Sequence, residues 1–127
     1  MKLLSDMLNT IVSTLDTFPL CESVQIIETI SFSESQYRLK IRATLHGGFA
    51  LQIYCYANGE HIDYAYQLLH MQEPIVRWDN KEHFPALASA PHHFHAADGS
   101  VQASPLTGNL ATDLQATLDY LETLLKT

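Results

Sequence analysis

Positive charge is scarce in this sequence. Its 127 residues hold 7 Lys and Arg against 14 Asp and Glu, for a formal charge of −7. Indiscriminate coating of nucleic acid needs a broad basic surface, and this composition argues against it. A local basic stripe, or a basic protein partner, stays compatible with an acidic whole. Cysteine is nearly absent too. Cys21 and Cys55 lack metal-type spacing, so neither a zinc module nor a disulfide-held scaffold fits. Cys55 falls in an apolar strand pattern and reads as a small buried thiol, not as half of a Cys21–Cys55 bridge. There is no apolar run long enough to span a membrane. The opening MKLLSDMLNTIVSTL is interrupted by Asp6, Asn9 and Thr10 and no small-residue cleavage site follows, so it is not expected to act as a signal peptide. The expectation is a protein of a prokaryotic-type cytoplasm. No repeat, low-complexity tract or composition break marks a linker, so the chain reads as one domain over residues 1–127. A domain of that size buries roughly two-thirds of its unfolded surface and needs no covalent staple.

What is present is patterned. Leu4, Leu8, Ile11 and Leu15 recur at helical spacing, with Met7 and Val12 beside them, and predict a helix over Leu3–Leu15 that Pro19 stops. A second helix is predicted over Leu110–Leu125, marked by Leu110, Leu114, Leu118, Leu121 and Leu125. Asn109 stands at its N-cap and Asp113 in the first turn, where the helix dipole favours an acid. Between the helices the period drops to two. In YRLKIRATLH, Tyr37, Leu39, Ile41, Ala43 and Leu45 share one face, and Arg38, Lys40, Arg42 and Thr44 the other. The HGG turn at 46–48 leads into FALQIYCYA, and Asn58-Gly59 signals a hairpin into EHIDYAYQLLH. SVQIIETISF and PIVRWD complete an antiparallel meander of five to six strands. The fold class is α+β, both helices covering the face of Leu39, Ile41, Leu51 and Ile53. On the other face Arg38, Lys40 and Arg42 lie beside Tyr54 and Tyr56. Such a face either binds nucleic acid through phosphate contacts and stacking or simply meets water. SVQIIETISF, as an edge strand, can pair across a homodimer axis.

Four of the seven histidines, His83, His92, His93 and His95, lie between Arg77 and Ser100. On a strand, Arg77 and Asp79 share a face, with Val76 and Trp78 opposite. Extended backbone after Pro91 puts His93 and His95 together, and His92 and Phe94 away from them. Lys81 to Ala90 reads as a loop. Three readings stay open. In metal-free RNA cleavage, one histidine takes the 2′-hydroxyl proton and another protonates the leaving oxygen, while arginine clamps the phosphate. His93, His95 and His83 with Arg77 suit those roles, Asp79 orienting a histidine or Arg77. Alternatively His93 and His95 hold a divalent metal, with Asp79 or His83 as a third ligand. The third reading is a polar loop with no chemistry, in a protein that only docks a partner.

RWDN followed by the proline-led PHHFH resembles the TumE-like toxins of prokaryotic toxin–antitoxin pairs, over roughly Tyr37 to Ser104. The resemblance implies a toxin whose partner is an antitoxin with a helix-turn-helix, and site residues Arg77, Asp79, Asn80, His93 and His95, with His83 and His92 as outer members. Trp78 stands where tyrosine is usual, and KEH follows Asn80 where a proline and paired histidines are more typical. The resulting expectation is a toxin acting on RNA, without a resident cofactor. Its catalytic groups are Arg77, Asp79, His93, His95 and His83, and its substrate contacts are Asn80, His92, Arg38, Lys40, Arg42, Tyr54 and Tyr56.

Overall fold

Alternation of apolar and polar residues sets which side chains share a face, and in the computed structural model it runs in register across a whole sheet. The structure describes residues 2–126. The chain order is α1 (Leu4–Asp16), β1 (Cys21–Ser33), β2 (Gln36–Leu45), β3 (Phe49–Asn58), β4 (His61–His70), β5 (Glu73–Asp79), β6 (His93–His95), β7 (Val101–Ala103) and α2 (Leu110–Leu125). All strand pairs are antiparallel and follow chain order, giving an open meander of seven strands where the sequence predicted five to six. The two additional strands have three residues each, too short for an alternation to be read before folding.

Residues directly opposite in an antiparallel pair project to the same side. One cross-strand row therefore runs Ile41–Ile53–Tyr66–Trp78–Phe94, and all five are buried. The helices cover this face as predicted. Met7, Ile11 and Leu15 of α1 and Leu110, Leu114, Leu118 and Leu121 of α2 join Leu39, Ile41, Leu51 and Ile53 in one core. In α1 the deepest stripe is Met7–Ile11–Leu15, and Leu4 and Leu8 are only half-buried. Tyr120 of α2 meets Trp78 and Phe94 edge-on, with ring centres 5.3 and 5.4 Å away, so α2 lies over β5 and β6. Asn109 caps α2 through Oδ1, which accepts from the Ala111 amide at 3.2 Å. Asp113 does more than answer the helix dipole. Its buried carboxylate accepts from the amides of Thr107 and Gly108 and from the Thr107 hydroxyl, tying down the loop from β7.

The turns explain where the meander folds back. Between β2 and β3, Gly47 and Gly48 take φ of 83° and 81°, as the HGG signal anticipated. The hairpin from β3 to β4 turns at Gly59-Glu60, one residue beyond the predicted Asn58-Gly59. Gly59 has φ 63°, and Asn58 still pairs with His61. Met71 and Gln72 join β4 to β5 at φ 50° and 71°, left-handed values that cost a side chain about 1 kcal/mol each. Both cysteines are free, Cys55 being buried. Among the described residues no helix is long and apolar enough to cross a membrane.

Met71 is 71% exposed, so its side chain contributes little burial to offset that backbone cost. Met71→Gly is expected to raise the urea midpoint, with a gain on the order of 1 kcal/mol. Leu114→Ala, at a fully buried position, is expected to lower stability by about 2–5 kcal/mol in the same measurement.

Candidate functional site

The face turned away from the helices carries a row of polar residues, Arg42–Gln52–Gln67–Arg77–His95, from β2 to β6. The adjacent row is Lys40–Tyr54–Ala65–Asp79–His93. Arg77 thus stands opposite His95, and Asp79 opposite His93, through β5–β6 pairing. The four residues converge because both short motifs are extended and in register.

Asp79 is the hub of this group. It is buried, and Arg77 Nε donates to its Oδ2 at 2.9 Å while the Lys81 amide donates to Oδ1 at 3.0 Å. His93 Nε2 lies 2.9 Å from Oδ1, and His95 Nε2 lies 3.7 Å from Oδ2. Burial pushes the Asp79 carboxyl up, but the Lys81 amide, Arg77 and His93 outweigh it and hold the group below the usual carboxylate range. Burial lowers the pKa of His95, with His93 and Arg77 acting in the same direction and Asp79 opposing them.

The two strand histidines differ in access. His93 is only 2% exposed, and its Nδ1 lies 3.1 Å from the Pro91 carbonyl. A carbonyl only accepts, so Nδ1 donates to it, and Nε2 faces Asp79. The side chain of His95 is 38% exposed and that of Arg77 33%. Phe84, from the loop after β5, packs edge-on against both rings, with centres 4.8 Å from His93 and 6.0 Å from His95.

Beside this cluster lies a hollow of about 1120 Å³, walled by Lys40, Tyr54, Arg77, Asn80, His83 and His92 among others. A smaller one of about 200 Å³ lies between Gln67, Pro74, Ile75, Val76, Arg77 and His95. Arg77 belongs to both. His83 is exposed on the loop and enters the larger hollow; His93 and Asp79 reach neither. Asn80 and His92 are already engaged. Asn80 accepts from the Tyr64 amide and donates to the Ile62 carbonyl, and His92 Nδ1 is 2.8 Å from the Tyr64 hydroxyl. Three further residues expected at the site also stand apart from both hollows. Arg38 faces Glu28 at 3.9 Å, Arg42 donates to Gln72, and Tyr56 pairs with Gln36. Arg42 is three strands from Arg77, about 14 Å across the sheet.

Sequence reasoning missed Gln67 and Phe84. Gln67 Oε1 lies 3.4 Å from Arg77 Nη1, a contact that pairing EHIDYAYQLLH against PIVRWD would have indicated. Phe84 gives no periodic signal. The donor atoms of Asp79, His93 and His95 lie within 4.8 Å of one another, and their types suit a borderline metal. The Nδ1 bond of His93 to a carbonyl is also what a metal-bound imidazole makes. Against this, Arg77 already brings a positive charge to one Asp79 oxygen.

Both pKa shifts give stability the same sign of pH dependence. His95 is depressed from 6.5 and Asp79 from 3.8, so each contributes stability above its unfolded value and loses it as pH falls. The melting temperature is expected to drop on acidification through pH 6, and His95→Gln should flatten that part of the curve. Asp79→Ala leaves buried His93 and half-buried Arg77 without their partner, and a loss of about 3 kcal/mol is expected by chemical denaturation.

No curated protein and no solved structure matches the chain. A family model does, over residues 11–125, and it is described as toxin TumE. That span takes in the C-terminal part of α1, the whole sheet and α2, together with Arg77, Asp79, His93 and His95. The chain belongs to the TumE toxin family.

Proposed function

We propose that this protein is the toxin of a prokaryotic toxin–antitoxin pair, that it works in the cytoplasm on RNA, and that a helix-turn-helix antitoxin restrains it. One observation supports the chemistry above the rest: Arg77, with Gln67 beside it, lines both hollows, His83 standing in one and His95 in the other. Displacement at phosphorus needs a base on one side, an acid on the opposite side, and a cation on the oxygens between. Phe84 spans the two imidazoles, its ring centre 6.4 Å from His83 and 6.0 Å from His95.

In this reading Arg77 clamps the phosphate through its Nη atoms, Nε being held by Asp79 and Nη1 also reaching Gln67 at 3.4 Å. His95, whose pKa is lowered by burial, is neutral at cellular pH and takes the proton of the 2′-hydroxyl. The 2′-oxygen bonds to phosphorus, the bond to the 5′-oxygen breaks, and His83 protonates that oxygen, leaving a 2′,3′-cyclic phosphate. Asp79 and buried His93 act as positioning residues that hold Arg77 and His95 in register. Lys40 and Tyr54, in the larger hollow, suit the neighbouring phosphate and base. The charge on Arg77 serves where a dication would otherwise sit, so the reaction takes no metal.

Purified protein incubated with RNA in EDTA is expected to leave 2′,3′-cyclic phosphate ends. Arg77→Ala, His95→Ala and His83→Ala should each slow it by about 10²-fold or more, and induction of the same variants in a bacterial host should no longer arrest growth. Cleavage that needs zinc or manganese and disappears with His93→Ala would replace this mechanism with the metal-dependent one.

A further inference from the structure

The sheet has one long open edge. β1 is thirteen residues long and pairs only with β2, so its outer N–H and C=O groups have no strand beside them. Of the seven large apolar side chains exposed among the described residues, four are on this strand: Ile26, Ile27, Ile30 and Phe32. Open edges are ordinarily guarded by lysine, proline or bulges. Cys21–Ser33 contains neither lysine nor proline. It does shift register three times, at Glu22, Ile27 and Phe32. Yet two of those three extra residues are apolar, with Ile27 50% and Phe32 62% exposed, so these bulges enlarge the apolar edge.

We infer that β1 pairs antiparallel with β1 of a second copy, about a two-fold axis between Ile26 and Ile27. The pattern of the strand is self-complementary in that register. Glu28 falls opposite Gln25, Glu22 opposite Ser31, and Val24 opposite Thr29, so no two acids face each other, while Ile26 meets Ile27. A two-fold axis normal to the sheet keeps like faces on one side, so the two helix-covered faces merge and so do the two polar faces. On the merged polar face, Arg38, Lys40 and Arg42 of each copy flank the seam. They project from the β2 strands, which lie three strand spacings apart, about 14 Å. Six cations then form one central band, between two copies of the Arg77–His95 cluster. A single chain of net charge −7 has no such band. Its use as an RNA track rests on the functional reading above; the pairing does not.

Sedimentation or light scattering of the full chain at tens of micromolar is expected to give twice the 14.3 kDa of one chain. Because both copies are acidic, the dimer should tighten as salt rises. Ile26→Lys with Ile27→Lys should give a monomer with unchanged circular dichroism and melting, and Phe32→Ser a weakened dimer. A monomeric wild type, or a double variant that still dimerises, overturns the inference. A wild type that is monomeric alone but loses antitoxin capture in the double variant would assign the edge to that partner instead. For RNA, the slope of log affinity against log salt should fall to about half in the monomeric variant. A dimer that neither binds nor cuts RNA would refute the RNA reading and leave the pairing standing. RNA cleavage by a wild-type monomer would do the reverse.

Discussion

A carboxylate withdrawn from water must be matched by positive charge and N–H groups, or it will not stay ionised. Asp79 is such a carboxylate, and the polar half of this molecule is arranged around satisfying it. Arg77 reaches it from two residues away on the same strand, His93 from the paired strand, and Lys81 from the start of the following loop. The His93 contact requires β5 and β6 to pair in one register, Arg77 against His95 and Asp79 against His93. A slip of β6 by one residue would turn Phe94 to the polar face and His93 and His95 toward the core. The large apolar cost of that exchange fixes the geometry of the cluster. Trp78, Phe94 and Tyr120, packed on the far side of the same strands, hold the polar groups in place from behind.

Much of the fold was legible because it rests on local periodicity. The YRLKIRATLH and FALQIYCYA stretches alternate without a break, and pair without a shift from Gln36 against Asn58 to Leu45 against Phe49. The leucines of α2 and its Asn109 cap were equally plain. Three-residue strands were not, since pairing and not pattern defines them. The position of the hairpin turn also depended on pairing, which carries Asn58 into the strand and leaves Gly59 to reverse the chain.

For the site, alternation sorted the side chains by face but gave no depth. It grouped Arg77 with Asp79 and His93 with His95. That His93 is sealed and His95 open follows from where Phe84 and the loop after β5 settle, and nothing periodic encodes that. The basic stripe shows the opposite limit. Arg38, Lys40 and Arg42 do share a face, but that face spans seven strands, and only Lys40 reaches the hollow beside Arg77. Sharing a face established orientation; proximity required the strand order.

Asn80 terminates β5, yet its amide continues the hydrogen-bond ladder to β4 by accepting from Tyr64 and donating to Ile62. One side chain thereby takes over the work of a further backbone residue, and the pairing of β4 with β5 is closed off before the loop begins. The loop that follows is tied down near its two ends, by the Lys81 amide on Asp79 and by Ser89, which bonds the His92 carbonyl and the Ser104 amide. Insertions or exchanges between those two ties can reshape the wall that His83 and Phe84 supply while the Arg77–Asp79 scaffold stays put. Such a division confines variation to the middle of a single loop.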